Sequence, residues 1–394
     1  MNYQSPGGAA ALDAGMNFEI PEAVAEFRSV TRVLVDDLLP LEREFQETGV
    51  VPPQVRQTLI KNGYFALAFP EEYGGLGMGA LAQCVVQAEL ARLPPQFWTE
   101  LRPLMGPAAK NILNHASAEQ KARLVPGMIS GDIPIAFGLT EPHCGSDLGS
   151  MRTTATRNVD GWLLNGSKTF ISNAKNAKTL VVYAYTDKAA GPRGGISAFL
   201  LEASTPGYRV DGVIPLMGTA TPGVYEISFS DVQLPPDSLL GEEGKAFHYA
   251  LEGLNEGRLN VGATALGMGE YALELAVDQA KIRPAFGGFI ADLQAIRHMI
   301  ANMATEMRAA RLMLLDACWR FDQGEKRREL ASMAKLFATE AGSRAVDSAV
   351  QIFGGYGYCR GFAVERLYRD IRITRIYEGS SEIQRNTISR EILR

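Results

Sequence analysis

The chain has 394 residues, 46% of them hydrophobic, and a formal net charge of −5. That length allows two or three domains with a substantial core, and with no block of like charges behind the net value, nucleic acid is not the expected partner. Four cysteines (Cys84, Cys144, Cys318, Cys359) lie far apart without a C-x-x-C pair, which speaks against a zinc site or a disulfide framework and fits a reducing cytoplasm.

The opening "MNYQSPGGAAALDAG" lacks the basic start and apolar run of a signal peptide, so residues 1–16 are expected to be a disordered tail. No apolar stretch is long enough to span a bilayer. Residues 17–132 are expected to form a helical domain. Phe27, Val30, Leu34 and Leu38 recur at three- and four-residue steps, one face of a helix. Ser117 with Gln120 three residues on predicts a capping box before "KARLVPGMI". Pro94, Pro95, Pro103 and Pro107 argue against a continuous helix through "PPQFWTELRPLMGP".

Residues 133–242 change period. "IPIAFGLT", "TTATRNV", "WLLNG", "KTFISN", "TLVVYAYT", "GISAFLLEA" and "VYEISFSDV" are short runs rich in β-branched and aromatic residues. Asp160-Gly161 and Asn165-Gly166 are expected hairpin turns, which makes this block an antiparallel barrel or sandwich. Residues 243–394 return to long helices. Leu330, Met333, Phe337, Ala341, Val346, Val350 and Phe353 mark a buried face that Gly354-Gly355 ends. The fold class is α+β, in the order helices, strands, helices.

Two glycine patterns invite a nucleotide reading and fail it. "GMGEYA" (Gly267, Gly269) sits inside a helical pattern, and "GGLGMG" at 74–79 has no strand before it. The four histidines show no metal spacing, and there is no G-x-S-x-G elbow. "RIYEGSSEIQR" is different. Glu378 is followed at once by Gly379, Ser380 and Ser381, which interrupt a helix and let something approach the backbone beside a carboxylate.

Taken in order, "FGLTEPHCGSDLGSMRTTA", "DGWLLNGSKTFISNA", "NEGRLNVGATALG", "RPAFGGFIADLQ", "QIFGGYGY" and "IYEGSSEIQR" resemble the acyl-CoA dehydrogenase family. The resemblance implies an N-terminal helical domain, a central antiparallel β-barrel domain and a C-terminal four-helix bundle. It implies FAD as cofactor, an acyl-CoA thioester as substrate, an electron-transfer flavoprotein as acceptor and a homotetramer. Phe137, Leu139, Thr140, Gly145 and Ser146 match the segment lining the flavin, Ser146 also facing the CoA chain. Phe170, Ile171 and Ser172 match the element beside the isoalloxazine. Arg283, Phe286 and Gln294 match positions that reach FAD across a subunit interface. Gln351, Gly354, Gly355, Ser380 and Glu382 match its adenosine side. Asn255 and Arg258 match the helix contacting the thioester, Gly379 lets the thioester approach, and Glu378 falls on the catalytic base.

The chemistry agrees with that placement. Oxidising a thioester at its α,β bond needs a base for a weakly acidic proton and donors for the developing enolate oxygen. In the family those donors include the base's own N–H. Some relatives carry the base immediately before the arginine matched by Arg258; here that residue is Gly257, and Glu256 is expected to point elsewhere. Trp98 and Arg102 depart from the small residues expected along the acyl pocket and suggest an unusual acyl group, polar, cyclic or aromatic. The alternatives are an acyl-CoA oxidase, a nitroalkane-oxidase-like flavoenzyme, or a non-enzymatic scaffold on the same fold.

Overall fold

The computed structural model describes residues 20–218 and 223–394, so the expected tail lies outside the described residues. Helices α1 (Glu22–Leu38), α2 (Leu41–Thr48), α3 (Pro53–Lys61), α4 (Ala80–Leu90), α5 (Leu101–Met105), α6 (Pro107–His115) and α7 (Ala118–Ser130) form the first layer. The face of α1 differs by one position from the expectation: Val30 is exposed, and Thr31 is buried with Leu34, Val35 and Leu38. A 3.6-residue period runs 27, 31, 34, 38, and the Thr31 hydroxyl is paired with Phe27 O and the Tyr64 hydroxyl. The capping box at Ser117 is present, with reciprocal Ser117 and Gln120 bonds.

The N-terminus of α4 shows why "GGLGMG" is no phosphate loop. Its first free amides, Ala80 N and Leu81 N, donate to the Asp322 carboxylate at 2.6 and 3.0 Å. A protein carboxylate already occupies the place an anion would take.

The strands are β1 (Ile135–Gly138), β2 (Thr154–Asn158), β3 (Gly161–Ser172), β4 (Thr179–Tyr185), β5 (Ile196–Glu202), β6 (Tyr208–Ile214), β7 (Val224–Leu234) and β8 (Leu239–Leu240), with a short α8 (Gly191–Gly195) before β5. They pair in the order β6-β7-β3-β2-β4-β5-β8, with β1 also on β4. The order helices, strands, helices is the one expected, and one expectation is corrected here. The sheet is mixed rather than antiparallel, because β1 and β2 both run parallel to β4. No pairing between its end strands closes a barrel among the described residues. Asn165-Gly166 is also not a turn. It lies inside β3 at a register shift, where Gly166 has φ 144° and Asn165 is tied to Asp231 on β7.

β1 and β2 lie one after the other along β4, against Thr179–Val182 and Tyr185 respectively. The chain between them, 139–153, is therefore an excursion from the line of one strand. It carries "LTEPHCGSD" past β3, to which Thr140 O and Glu141 are bonded.

The last layer holds α9 (Ala246–Ile282), the small hairpin β9 (Pro284–Ala285) and β10 (Gly288–Phe289), then α10 (Gln294–Asp322), α11 (Arg328–Phe353), α12 (Ala363–Ile371) and α13 (Ser381–Ile392). Helix α9 packs against α4, α10 and α11 through small residues. A Cβ on Gly267 would lie 1.9 Å from Ala88 O, so "GMGEYA" brings two helix backbones together. The innermost stripe of α11 is Ala331, Ala334, Ala338, Ala341, Ala345 and Ala349, whereas Leu330, Met333, Phe337 and Val350 flank it half-buried. Among the described residues no helix is long and apolar enough to cross a membrane.

Candidate active site

Glu378 sits in a break between a 3₁₀ turn at Arg372–Arg375 and α13. Its φ is 54° and that of Gly379 is 87°, two consecutive left-handed residues. For a residue with a side chain this costs about 1–2 kcal/mol, so the surroundings must hold it. Gln384 Nε2 donates to Glu378 O at 3.2 Å and to Gly379 O at 2.8 Å, and Ser380 caps α13 by accepting from Ile383 N. Among the described residues nothing accepts from the Glu378 N–H.

The carboxylate is as unsatisfied as the amide. Glu378 Oε2 is buried without a hydrogen-bond partner. Burial pushes its pKa above the usual carboxylate range, against the nearby charges of Arg102, Arg258 and Lys335, which pull it down. Arg258 is buried on α9, where its Nη1 donates to Asn255 Oδ1 at 2.8 Å. A Cβ on Gly257 would stand 2.7 Å from Glu378 Oε2, so the bare glycine leaves the space that the base fills. Glu256 turns away into an ion pair with Lys110 at 3.0 Å.

Arg102 meets this cleft, while Trp98 lies in the core packed behind α5. The Arg102 guanidinium lies over the Tyr377 ring at 4.7 Å, with no carboxylate or carbonyl partner among the described residues. Trp98 is fully buried, and its indole N–H has no acceptor. Lys335 was not singled out in the sequence. It is fully buried on the alanine stripe of α11 and its Nζ donates to Gly379 O at 2.9 Å. The spacing of Ala331, Ala334, Lys335 and Ala338 on one helical face was the available signal.

The flavin-lining candidates form a ledge on the sheet. Phe137 packs edge-on against Tyr183, and Thr140 O accepts from Thr169 N at 2.9 Å, which ties the excursion to β3. Under the ledge is a pair missed in the sequence, Glu141 and Lys168, both buried. Glu141 accepts from Lys168 Nζ at 2.8 Å, Arg152 N at 2.6 Å and Thr153 N at 3.0 Å, and Lys168 also donates to Leu139 O at 3.3 Å. Burial would raise the Glu141 pKa, but the Lys168 charge and these bonds hold it below the ordinary value. Above the pair, Gly145 and Ser146 are exposed, and a Cβ on Gly145 would meet nothing within 4 Å. Phe170 has φ 58° and is 59% exposed beside half-buried Ser172.

A third set lies apart. Phe286 stands at the tip of the β9–β10 hairpin, 94% exposed at φ 51°. Arg283 lies over the Tyr356 ring at 5.6 Å, beside a cavity of about 260 Å³ lined also by Gln279, Ile282, Pro284 and Phe362. Gln294, Gln351, Gly354 and Gly355 are exposed, and a Cβ on either glycine would meet nothing within 4 Å. Ser380 and exposed Glu382 begin α13. Arg258 and Arg283 are 25 residues apart on one helix and at its end, roughly 37 Å along the axis. One copy therefore does not bring Arg283 to its own Arg258 and the cleft, whereas Ser380 and Glu382 follow Glu378 directly in the chain. Exposed rings, bare glycines and an arginine nonetheless suit an extended aromatic dinucleotide, so the residues present fit the flavin cofactor the sequence implies.

Comparison with known proteins gives concordant findings. Family models described as acyl-CoA dehydrogenase N-terminal, middle and C-terminal domains match residues 21–132, 136–232 and 244–393. An acyl-CoA dehydrogenase of Bacillus subtilis is 41% identical over 91% of this chain and 94% of its own. The caffeyl-CoA reductase–Etf complex subunit CarC of Acetobacterium woodii is 38% identical, covering 89% and 92%. The solved butyryl-CoA dehydrogenase of Megasphaera elsdenii superposes with a TM-score of 0.91 at 35% identity, covering 96% and 100%. Solved neighbours of this fold include FAD complexes.

Proposed function

Since this chain belongs to the acyl-CoA dehydrogenase family, an oxidoreductase family with FAD as cofactor, we propose that Glu378 is its catalytic base and an acyl-CoA thioester its substrate. The observation that carries the assignment is the unpartnered Glu378 carboxylate, buried where burial raises its proton affinity and where Gly257 leaves it room. A carboxylate with a raised pKa is a stronger base, and three neighbouring cations still favour its charged form. The free Glu378 N–H, held by the left-handed turn, is placed to donate to a thioester oxygen as negative charge grows there. Arg258 and Asn255 line the same cleft from α9.

FAD, when bound, supplies the acceptor for the hydride that leaves the β-carbon. Thr140, Gly145, Ser146, Phe170 and Ser172 would hold its reactive ring on the ledge. Arg283, at the far end of α9 from the cleft, with Phe286 and Gln294 beyond it, would hold the cofactor of a neighbouring copy, which supports an oligomer such as the expected homotetramer. The Etf-associated relative supports an electron-transfer flavoprotein as redox partner. The same groups serve the reverse reaction, as expected by microscopic reversibility and consistent with a reductase among the relatives.

The acyl group we favour carries a hydrogen-bond acceptor or a negative charge near a flat or unsaturated part. One donor at the cleft without a partner among the described residues, the Arg102 guanidinium, leaves such a group as its natural complement. The unpartnered indole N–H of Trp98, four residues earlier in the chain, supports the polar part of that reading.

The test of the base is Glu378→Gln. The amide keeps the shape and loses the basicity, so the purified variant is expected to stay yellow and to bind acyl-CoA. Anaerobic bleaching by a good substrate should slow by about 10⁴-fold or more. Bleaching at the wild-type rate would end the assignment.

A further inference from the structure

Lys335 is a buried cation with an unusual set of neighbours. Among the described residues no carboxylate lies within ion-pair distance of Nζ, and its one hydrogen bond goes to the carbonyl of Gly379. Lysines are seldom fully buried, because the charge loses its hydration, and those that are buried usually meet a carboxylate directly. Here the opposing charge that acts on it most strongly is Glu378, through space, with weaker contributions from Glu340 of the same helix and Glu382 of α13, and Arg258 of α9 opposing them. Glu340 is engaged elsewhere, by Arg375 at 2.9 Å and by the Ser381 hydroxyl at 2.7 Å.

The carbonyl it grips belongs to the peptide immediately after the base. Gly379 O therefore takes two side-chain donors, Lys335 Nζ and Gln384 Nε2, from two different helices. The second donor, Gln384, is neutral and also holds Glu378 O, so a neutral clamp for the turn already exists. What Lys335 adds is a rigid anchor on α11 and a third positive charge, after those of Arg102 and Arg258, acting on a carboxylate that no side chain among the described residues hydrogen-bonds.

We propose that Lys335 is a positioning residue for the base, fixing the left-handed Glu378–Gly379 turn through the Gly379 carbonyl and keeping the Glu378 carboxylate charged. The proposal rests on Glu378 being the base. Of the charged groups facing that carboxylate, Arg102 on α5 and Arg258 on α9 border the substrate cleft, while Tyr377 precedes it in the chain. Lys335 approaches from α11, where its charge is available whatever acyl group is bound. Burial pulls its own pKa down to about 8, with Glu378 opposing. The positive charge therefore predominates at neutral pH and fades as pH rises through that value.

A 3-thiaacyl-CoA tests this without turnover, because its α-proton is acidic and its β-sulfur has no hydride to give. The holoenzyme is incubated with it in D₂O, and α-deuteration is read by mass spectrometry across pH. Exchange rises with pH as the base ionises. Lys335→Arg, which keeps the charge, should follow the wild-type curve. Lys335→Gln, which keeps a donor without charge, should move the midpoint up by about one pH unit. Lys335→Met should show that shift and a plateau lower by roughly tenfold, because the turn is loosened as well. If Lys335→Met is not recovered folded and yellow, the glutamine variant carries the charge test alone. Glutamine and methionine variants that titrate like wild type would overturn the proposal. Exchange that persists in Glu378→Gln would instead overturn the base assignment, so the two failures are separable.

Discussion

Two buried carboxylates, each near a buried lysine, do opposite things in this molecule. Glu141, under the ledge, is met by Lys168 and by two backbone amides, and its pKa is held low. Glu378, in the cleft, has a buried oxygen with no partner, a lysine that turns to a carbonyl instead, and a pKa pushed up. The residue types are the same. What differs is whether the hydrogen-bonding capacity is used up inside the protein. A satisfied carboxylate is inert and rigid; an unsatisfied one stores affinity for a proton that a substrate can deliver.

The largest effect expected on the structural side of that contrast is at Glu141. Glu141→Gln leaves Lys168 buried without a counter-charge, and breaking such a pair costs about 3–5 kcal/mol. Urea unfolding should show that loss, whereas Glu378→Gln should unfold no more easily than wild type. The pH dependence follows from the lowered Glu141 pKa. The stability it contributes is present above its unfolded value of 4.5 and is lost as pH falls through the lower folded value, so acid should narrow the gap between wild type and Glu141→Gln. Equal destabilisation by the two substitutions would erase the distinction.

A smaller and sharper effect is expected at Gly257. The methyl group of Gly257→Ala would press on Glu378 Oε2, the mobile end of a side chain, so the carboxylate shifts and the fold survives. Turnover should fall by about a hundredfold through misplacement of the base. Thermal stability should hold or rise, since alanine favours a helix over glycine by about 1 kcal/mol. A variant with unchanged turnover would mean that the fit of base to glycine is incidental.

The smallest effect is one of ranking. Arg102→Met should lower kcat/KM for acyl-CoA thioesters bearing a carboxylate or hydroxyl by about tenfold relative to unsubstituted chains of equal length. Anaerobic titrations over straight-chain, aromatic and dicarboxylyl thioesters measure it. An unchanged ranking would leave Arg102 as a companion of Tyr377 alone.

These residues also show what was legible in the sequence. Glu378 stood out because its neighbours break a helix, and its φ of 54° is the structural form of that break. Ser117 was legible because a cap is a local event of four residues. Asn165-Gly166 misled because the same dipeptide serves a turn and a bulge, and only pairing with β7 distinguishes them. The parallel course of β1 and β2 could not be read, since strand direction depends on partners far along the chain. Lys168 and Lys335 were passed over for a related reason. Hydrophobic periodicity registers a lysine as a gap in a buried face, and only three-dimensional packing shows that the gap is filled.

The Asp322 carboxylate that closes the start of α4 has a consequence for how the protein is made. Ala80 and Asp322 are 242 positions apart, and Arg366 reaches back further still, to Glu42 and to the Arg92 carbonyl. At ribosomal speeds that separation is on the order of tens of seconds. Until α9 has been made α4 lacks the surface that covers Leu81 and Cys84, and until Asp322 follows it lacks its cap. The first domain to be translated is thus among the last to be finished, and a nascent chain interrupted before α9 displays an apolar helix to any chaperone or protease that meets it.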